Sequence, residues 1–536
     1  MKRIIFLLIP FLILFNACGQ NQNENSKDKK SKKISKRNLS ITPANAYNDL
    51  FLDSMDVVKF IAEDSIPDSI SRRITSFYNA RNYEFAWFSS EGLSEQAMGF
   101  SSLLNFTNDT SATQKKLGKI MNGLLGEDRL SVSADDKKTI NTELLLTKSL
   151  IEYSLTNFEK GYVKRKELER FIPFKKMDPV LLSDSLLNKK HKDDKYFSDI
   201  NQPYKLLSDQ LRKYVSIVKS GGWPVLDAEA KEFKEGDSSV AIRTLKQILT
   251  ITGDMAGADT SAIFDSNLKA GIQNIQTRFG YTANGKVDKK LIEQINVPAI
   301  ERVKQILINM NRMRWLPQEP EGRLIVVNIP AFILHVYDGT NTVFTMPVVV
   351  WKEGHNTILF SDMLTTIVFS PYWNVPPSIV KKEILPAMEK DPDYLLRNQM
   401  EITKEENGLP VVRQLPGDKN SLGKVKFLFP NSFNIYFHDT PAKSLFDKDV
   451  RAYSHGCIRL GEPEKMAEYL LKGDPEWAPD KIFEAMNSGE EKYVKLDNPV
   501  PVFITYYTAW VDESGKLNFR EDIYGHDKEV AVKMFL

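Results

Sequence analysis

Cysteine is almost absent from this chain, which has two in 536 residues, Cys18 and Cys457. Because Cys18 lies in an N-terminal targeting segment, the body of the protein holds one interior thiol, that of Cys457, with no partner for a disulfide in its own chain. A single cysteine with histidines elsewhere in the sequence is a candidate nucleophile, and a buried structural thiol is the alternative.

Long apolar runs are also absent beyond the N-terminus, where no stretch reaches 18 consecutive apolar residues, so no further membrane span is predicted. The 72 Lys and Arg residues nearly balance the 70 Asp and Glu residues, for a net charge of +2. With no zinc-finger or RNA-binding signature either, nothing indicates binding to nucleic acid. Neither the His-Glu-x-x-His pattern nor a paired-cysteine ligand spacing occurs, so we predict no metal site and no cofactor.

The N-terminus resembles the signal of a bacterial lipoprotein. A positively charged start precedes an apolar run from Ile4 to Phe15 that is too short to remain as a spanning helix. A small residue then stands directly before Cys18. We therefore interpret residues 1–17 as a signal peptide and Cys18 as the lipidated first residue of the mature chain, with ordinary secretion and cleavage nearby as the alternative.

Residues 18–41 are polar and rich in lysine, a composition that predicts a disordered tether. Acyl chains on Cys18 would attach the protein to a membrane. We expect a lipoprotein of the bacterial cell envelope that faces the periplasm, at the outer membrane. Disulfides are common in such an oxidising compartment, so the lack of a cysteine pair fits a thiol kept free for chemistry.

The next three regions have helical patterns. Residues 42–227 repeat apolar side chains at helical spacing and are predicted to form a helical scaffold domain. Residues 228–299 contain three short helical patterns with glycine-marked turns, and their run from Gln276 to Asp288 resembles the small helical peptidoglycan-binding domain. That skeleton consists mostly of packing positions, so it predicts the fold better than a ligand. Residues 300–322 carry an amphipathic pattern closed by prolines, which predicts a linker helix.

From residue 323 onward the pattern changes to strands separated by turn signals. Residues 323–510 therefore favour a mostly β domain, either a sandwich or barrel-like. A proline-rich, charged stretch from Pro376 to Pro430, with a helical middle, is too long for a simple connection and is typical of a lid. Residues 511–536 are interpreted as a C-terminal β tail, in which Asp522 to Asp527 ends a strand and forms a turn.

Two stretches of the β region carry residues suited to catalysis. Phe433 to His438 alternates in polarity, which places Asn434, Tyr436 and His438 on one face of a strand whose end presents the imidazole. Fifteen residues later, Ser454 opens the run Ser-His-Gly-Cys-Ile-Arg. The intervening stretch is long enough for a loop that returns to the same edge.

The chemistry explains why these residue types would be needed together. A thiolate rather than a thiol attacks an acyl carbon, and a nearby imidazole such as that of His438 can take the proton of Cys457 and later protonate a leaving amine. Gly456, directly before the nucleophile, permits a backbone conformation that a Cβ would block. Backbone amides at such a turn can stabilise an oxyanion, and Arg459 can clamp a substrate carboxylate.

These residues, His438 followed after fifteen positions by Ser454 to Arg459, resemble the signature of the L,D-transpeptidases with a YkuD-type catalytic domain. Further stretches, Val327 to Phe332, Pro371 to Ile379 and His438 to Pro441, resemble the large, multi-domain branch of that family. Enzymes of this family use a cysteine to cross-link peptidoglycan stem peptides.

The resemblance implies a multi-domain α+β fold. It joins a helical scaffold, a small three-helix peptidoglycan-binding-like domain and a mostly β catalytic domain. A capping subdomain interrupts the catalytic domain, here at about residues 378–431.

Carried over by position, Cys457 is the nucleophile and His438 is its general base and acid. The residues leave the division of labour between His438 and His455 open, and we favour His438 because His455 must follow the tight turn at the nucleophile.

The same resemblance assigns Ser454, His455 and Gly456 to shaping the site and its oxyanion environment. Arg459 and Tyr436 are expected to bind substrate. Many family members carry asparagine where this chain has Arg459, so contacts to the acceptor are expected to differ.

The expected activity is attack of Cys457 on the L,D bond of a donor tetrapeptide stem, release of D-alanine and transfer of the acyl group to an acceptor amine. The acceptor stays open between a meso-diaminopimelate side chain and another amine.

The alternatives are an L,D-carboxypeptidase with the same residues and a non-catalytic wall-binding lipoprotein. Expected partners are stem peptides, glycan and, through the lipid, a membrane, while the sequence leaves protein partners unknown. The resemblance also implies acylation by carbapenems and a role in cell wall biogenesis and cell shape.

Overall fold

The computed structural model describes the chain in segments, which are residues 34–106, 112–125, 132–157, 172–187, 201–227, 233–257, 259–317, 322–352, 359–454 and 456–536. The predicted signal peptide, Cys18 and most of the predicted tether lie outside these segments. Within them, no helix combines the length and apolar character needed to cross a membrane.

The helices, numbered in chain order, are α1 (Ser54–Glu63), α2 (Asp68–Ala80), α3 (Glu95–Phe106), α4 (Ala112–Leu125), α5 (Lys137–Asn157), α6 (Pro179–Leu186), α7 (Gln202–Lys219), α8 (Val240–Thr252), α9 (Ser266–Phe279), α10 (Lys289–Ile295), α11 (Ala299–Met313), α12 (Pro377–Ile379), α13 (Leu385–Lys390), α14 (Tyr394–Arg397), α15 (Pro463–Leu470), α16 (Pro479–Asn487) and α17 (His526–Met534). The strands are β1 (Phe88–Ser89), β2 (Gly92–Leu93), β3 (Arg323–Asn328), β4 (Ile333–Asp338), β5 (Asn341–Trp351), β6 (Phe360–Phe369), β7 (Trp373–Asn374), β8 (Met400–Glu406), β9 (Leu409–Gln414), β10 (Val425–Leu428), β11 (Phe437–His438), β12 (Ala452–Ser454), β13 (Ile458–Leu460), β14 (Lys492–Thr505), β15 (Ala509–Val511) and β16 (Leu517–Phe519).

Helices α1 to α7 make up the helical region expected at residues 42–227, together with the short hairpin of β1 and β2. The centre of this region is aromatic. The rings of Trp87 and Phe100 stack with 5.4 Å between their centroids, and Phe100 lies 5.9 Å from Trp315, which follows α11. These aromatic contacts join the scaffold to the helix that leads into the β region.

The packed body of the protein begins earlier than expected, because the tether assigned to residues 18–41 is ordered at its end. Ile41 has no exposed surface. The N–H of Asn38 donates to the carbonyl of Asn79 in α2 at 2.8 Å. Burial of one isoleucine and pairing with α2 hold this end of the predicted tether against the scaffold.

Three helices, α8, α9 and α10, follow the pattern expected for residues 228–299. Their N-termini are capped by the side chains of Ser239, Asp265 and Asp288, each of which accepts a backbone N–H of its own helix. Gly253 and Gly280 end α8 and α9 with φ values of +83° and +76°, a conformation that glycine adopts without strain. The caps and turns visible in the sequence thus set the bounds of these helices.

Helix α11, expected as an amphipathic linker, is buried on its polar side as well. Arg302, Asn309 and Arg312 are all buried together with the apolar face. The Asn309 side chain donates to Thr508 Oγ1 at 2.7 Å and accepts the N–H of Thr508 at 2.9 Å. Residues far along the chain therefore cover the polar side of this helix.

Arg312 is the centre of an ion network that joins three parts of the chain. Its guanidinium donates to both carboxylate oxygens of Glu95 in α3, at 3.1 and 3.0 Å. It also donates to the Asp527 carboxylate in α17 at 2.5 Å and to the Tyr506 carbonyl after β14 at 3.1 Å. Burial opposes the charge on Arg312, but these two carboxylates raise the pKa of the guanidinium above its ordinary value.

The β region forms a closed barrel, in line with the barrel-like alternative. Its strands run in the order β5, β13, β11, β10, β6, β14, β3 and β4, and the ring closes because β4 also pairs with β5. Strand β12 adds to the outside edge of β5 in parallel. Two further pairs are parallel, β14 with β3 and β11 with β13. The second of these parallel pairs positions the candidate site.

The alternation expected from Phe433 to His438 is regular only at its end, where β11 comprises Phe437–His438. Asn434 has a φ of +54°, which interrupts an extended strand. Asn434 therefore does not continue the face that carries Tyr436 and His438.

An inserted unit interrupts the barrel between β6 and β10. It has a three-stranded sheet in the order β7, β9, β8, with α12 and α13 beside it. Its own small core consists of four buried aliphatic side chains, Val375, Val380, Ile384 and Val412. The bounds expected for this unit, about 378–431, are corrected at both ends. Strand β7 precedes them, and β10 pairs with β6 as part of the barrel.

The C-terminal segment, expected at 511–536 as a β tail, ends in a helix. Strand β16 pairs with β15, but Gly525, with a φ of +82°, then leads into α17. His526 is therefore the first residue of a helix rather than part of a strand end and turn. The helix directs Asp527 towards Arg312, and this ion pair explains why the segment folds back onto α11.

We predict that Arg312→Met destabilises the fold by about 3–5 kcal/mol, since it leaves the buried carboxylates of Glu95 and Asp527 without their cation. Chemical denaturation followed by tryptophan fluorescence measures the change. The control is Lys219→Met, which removes an exposed pair with Asp184 and is expected to cost at most about 1 kcal/mol. Equal losses in the two variants would contradict the role assigned to Arg312.

Candidate active site

Two adjacent parallel strands, β11 and β13, bring the candidate residues together. Phe437 lies opposite Ile458, and His438 lies opposite Arg459. Phe437 and Ile458 have no exposed surface and belong to the barrel core. Because side chains alternate along a strand, His438 and Arg459 share the opposite face.

The same register places Cys457 beside Tyr436. The N–H of Ile458, the residue after the cysteine, donates to the Tyr436 carbonyl at 3.1 Å. The Tyr436 hydroxyl and the Cys457 thiol are hydrogen-bonded to each other. Cys457 is half-buried and carries the free thiol of the described residues. Four candidates from the sequence, Tyr436, His438, Cys457 and Arg459, therefore meet on one face of the barrel wall.

The turn before the cysteine is held by a side chain. Ser454, buried at the end of β12, donates its hydroxyl to the Cys457 carbonyl at 2.5 Å, and its own carbonyl accepts the N–H of Lys352 at 2.9 Å. Gly456 has a φ of +149°, which an L side chain rarely adopts. Ser454 and Gly456 thus help to define the turn before Cys457, while His455 lies outside the described residues.

The imidazole of His438 is fully enclosed and fixed by carbonyl groups. Its Nδ1 lies 2.5 Å from the carbonyl oxygen of Asp439. A carbonyl only accepts hydrogen bonds, so we assign the proton of the neutral ring to Nδ1, which leaves Nε2 as an acceptor. The Tyr436 ring lies 5.8 Å from the imidazole, between ring centroids. This tautomer is the one a general base needs.

Burial sets the charge state of both reacting groups. Burial and the positive charge of Arg459 together lower the pKa of His438 to about 4, although the Asp439 and Leu422 carbonyls act in the opposite direction. Burial raises the pKa of the Cys457 thiol, although the Tyr436 hydrogen bond and the Arg459 charge act in the opposite direction. At neutral pH the resting site therefore holds a neutral thiol and a neutral imidazole.

Arg459 has the features of an anion-binding group. Its side chain is half-buried, and its Nε is buried with no hydrogen-bond partner among the residues that the structure describes. Burial lowers the pKa of the guanidinium, which stays charged at neutral pH. A carboxylate bound here would supply the missing acceptor.

The sequence alone did not single out Asp439 or the loop before β10. In the sequence, Asp439 stands only as one residue of the stretch from His438 to Pro441. In the structure its carboxylate accepts the N–H of Lys424 at 2.9 Å, and the Leu422 carbonyl faces the imidazole. The signal available in the sequence was a carboxylate directly after the candidate base, but its partner comes from another strand. Among the described residues, no group of three or more His, Cys, Asp or Glu side chains is placed to hold a metal.

We predict that the Cys457 thiol reacts with iodoacetamide mainly above about pH 8.5, the ordinary range for a cysteine, because burial raises its pKa. Tyr436→Phe removes a hydrogen bond that stabilises the thiolate, so the rate profile should move to still higher pH. Alkylation is followed by mass spectrometry in a chain with Cys18→Ser. The matched control is Tyr453→Phe, at an exposed ring near the turn. An unchanged profile in Tyr436→Phe would contradict the hydrogen bond.

Two family models match the chain. One, described as the YkuD L,D-transpeptidase catalytic domain, matches residues 322–477. The other, described as a scaffold domain, matches residues 72–211. The first range contains both His438 and Cys457.

Among curated proteins, one from Haemophilus influenzae named "Putative L,D-transpeptidase" is 30% identical over 245 residues, covering 43% of this chain and 49% of that protein. The chain thus spans about half the length of this relative. Two solved structures were also found similar to this chain, and both are of L,D-transpeptidases, one from Stackebrandtia nassauensis and one from Xylanimonas cellulosilytica. The first structure is 13% identical to this chain, the match covers 52% of this chain and 96% of the solved chain, and the TM-score is 0.22. The second structure is 10% identical, the match covers 52% of this chain and 98% of the solved chain, and the TM-score is 0.16.

Proposed function

We propose that this chain, which belongs to the L,D-transpeptidases through its YkuD catalytic domain at residues 322–477, transfers acyl groups between peptidoglycan stem peptides. The observation that carries the proposal is the shared face of Tyr436, His438, Cys457 and Arg459 on two paired strands inside the matched range. A thiol, a base whose Nε2 can accept a proton and a cation whose buried Nε has no acceptor among the described residues suit acyl transfer from a carboxylate-bearing peptide.

In the first half-reaction, Cys457 Sγ attacks the carbonyl carbon of the donor's L,D bond while His438 Nε2 takes the thiol proton. The tetrahedral intermediate then collapses, the C–N bond breaks, and the imidazolium returns its proton to the leaving amine of D-alanine. A thioester on Cys457 remains. The Cys457 thiol and the His438 imidazole are both neutral in the resting site, so transfer of the thiol proton before the attack is unfavourable. The proton therefore moves to His438 while the sulfur attacks.

In the second half-reaction, an acceptor amine attacks the thioester, His438 removes its proton, and the thiol of Cys457 is regenerated as the new amide forms. As the family resemblance implies, the turn fixed by Ser454 and Gly456 is proposed to stabilise the oxyanion of the tetrahedral intermediate with its backbone N–H groups. Arg459 is proposed to bind a stem-peptide carboxylate, since its buried Nε lacks an acceptor among the described residues.

Two other functions are separated from this one by their products. If water replaces the amine, the same residues give an L,D-carboxypeptidase that releases D-alanine without forming dimers. A non-catalytic wall-binding lipoprotein would form neither product. The tautomer of His438 and the hydrogen bond between Tyr436 and Cys457 favour a working site over an inert one.

We predict that the purified protein converts defined tetrapeptide muropeptides into cross-linked dimers and free D-alanine, detected by mass spectrometry. Cys457→Ala should abolish both products, and His438→Gln should reduce them by about 100-fold or more, the usual contribution of a general base. An active Cys457→Ala variant would overturn the proposal.

A carbapenem gives an independent readout of the nucleophile. Acylation should add the mass of the antibiotic to the peptide that contains Cys457 and should be absent from Cys457→Ala. D-alanine release without dimers would assign the carboxypeptidase, while neither product nor acylation would leave the wall-binding alternative.

We further propose that Cys18 is lipidated and that the protein is a periplasm-facing lipoprotein of the bacterial envelope, at the outer membrane. The support is the apolar run before Cys18 and the small residue that precedes it. Metabolic labelling with an alkyne fatty acid should mark the wild type, and Cys18→Ser should remove the label and shift the protein to the soluble fraction. Cys457→Ser, the matched cysteine substitution, should keep the label. Equal labelling of Cys18→Ser would contradict the assignment.

A further inference from the structure

The loop from Gly417 to Lys424, between β9 of the inserted unit and β10 of the barrel, lies against the candidate base. The carbonyl of Leu422 faces the His438 imidazole. Two residues later, the N–H of Lys424 donates to Asp439 Oδ2 at 2.9 Å. The N–H of Asp439 in turn donates to the Val425 carbonyl at 2.9 Å. Asp439 is thus attached to this loop through both its backbone and its side chain.

The Asp439 carboxylate is enclosed and has both oxygens occupied. It is 6% exposed, and its second oxygen accepts from Lys443 Nζ at 2.6 Å. Gly423 packs directly against it with a φ of +62°, and a Cβ on this glycine would collide with the carboxylate. The two hydrogen bonds and the close contact with Gly423 therefore fix the position of the loop relative to the Asp439 carboxylate.

The other side of the loop is held by two buried amide side chains. Asn420 donates to the carbonyls of Pro371 and Leu415, each at 2.9 Å, and accepts the N–H of Leu422 at 2.8 Å. Gln414, at the end of β9, accepts the N–H of Ser421 at 2.9 Å. The position of Leu422 is therefore fixed from the inserted unit as well as from Asp439.

We propose that the Asp439 carboxylate is a positioning residue for His438. By holding Lys424, it keeps the loop against β11, so that the carbonyls of Leu422 and Asp439 fix the imidazole with Nε2 available for the proton of Cys457. The catalytic part of this proposal rests on the proposed acyl transfer, whereas the orientation of the ring does not.

Electrostatics add to the same effect. The two carbonyls and the negative charge of Asp439 raise the pKa of His438 against burial and the charge of Arg459. Loss of the carboxylate would therefore leave the imidazole both less well oriented and less basic. Small misplacements of a catalytic group cost large factors in rate, so we expect an effect on kcat rather than on substrate binding.

The test compares three substitutions at Asp439 and its neighbours with a matched control. Asp439→Ala should lower kcat of muropeptide transfer about tenfold or more, with KM within about twofold. Asp439→Asn keeps an acceptor for the Lys424 N–H and should recover most of the rate. Lys443→Met leaves that hydrogen bond intact and should stay within about twofold of wild type.

The control is Asp512→Ala in the turn between β15 and β16. Its carboxylate likewise accepts backbone N–H groups, those of Ser514 at 2.9 Å and Lys516 at 3.0 Å, but it lies outside the site. A wild-type kcat in Asp439→Ala would overturn the proposal. So would a loss of rate no larger than that of Asp512→Ala at a matched loss of thermal stability.

A spectroscopic readout separates this proposal from the proposed activity. The chain has six histidines, and long-range ¹H–¹⁵N spectra of ¹⁵N-histidine protein at pH 7, assigned with His438→Gln, report the tautomer of each ring. We expect the Nδ1–H tautomer for His438 in wild type and in Asp439→Asn, and a mixture of tautomers in Asp439→Ala. If wild type shows this tautomer but transfers no acyl group, the proposed function fails and the positioning role stands. If the tautomer is unchanged in Asp439→Ala, the positioning role fails whatever the activity.

Discussion

The buried guanidinium of Arg312 is the group on which the arrangement of the chain depends. A charge taken out of water costs several kcal/mol unless it is paired and hydrogen-bonded. Its partners come from three regions, with Glu95 in the scaffold, Asp527 in the C-terminal helix and the Tyr506 carbonyl beside the barrel. Burial of α11 without these partners would leave the charge of Arg312 unpaired away from water. The scaffold and the C-terminal segment therefore both stabilise α11, the helix that precedes the barrel.

A chain of contacts leads from this network to the candidate nucleophile, Cys457. The N–H of Tyr524 donates to the Tyr506 hydroxyl at 3.0 Å, and the Tyr524 hydroxyl donates to the Trp351 carbonyl. The rings of Trp351 and Tyr524 also stack, 6.1 Å apart between centroids. Trp351 pairs with Ser454, whose hydroxyl holds the Cys457 carbonyl. The C-terminal segment thus supports the turn at the thiol from outside the barrel.

Local sequence patterns predicted the features that depend on neighbouring residues, which are helices, turns and the alternation of side chains along a strand. Short helical patterns with glycine-marked turns predicted the three helices after residue 233, and period-two alternation predicted the shared face of Tyr436 and His438. The sequence could not show the burial of the polar side of α11, because Thr508 and Asp527 lie about 200 residues away. Nor could it show the Lys424 partner of Asp439, which depends on how β10 and β11 pair. Pairings between distant segments are set by the packed fold, and no local pattern encodes them.

The burial that sets the charge state of the Cys457 thiol also affects its reactivity. Oxidants and disulfides react with the thiolate, so a thiol whose pKa is raised is protected at neutral pH. The proposed acyl transfer depends on this protection, because its sulfur must stay reduced between substrates. The cost for the proposed reaction is that the neutral Cys457 thiol needs a base at the moment of attack. His438, neutral at neutral pH because burial lowers its pKa to about 4, is the proposed base, and the hydrogen bond of its Nδ1 to the Asp439 carbonyl leaves Nε2 as an acceptor. Protection of the thiol and the requirement for a positioned imidazole are thus two consequences of one enclosed face.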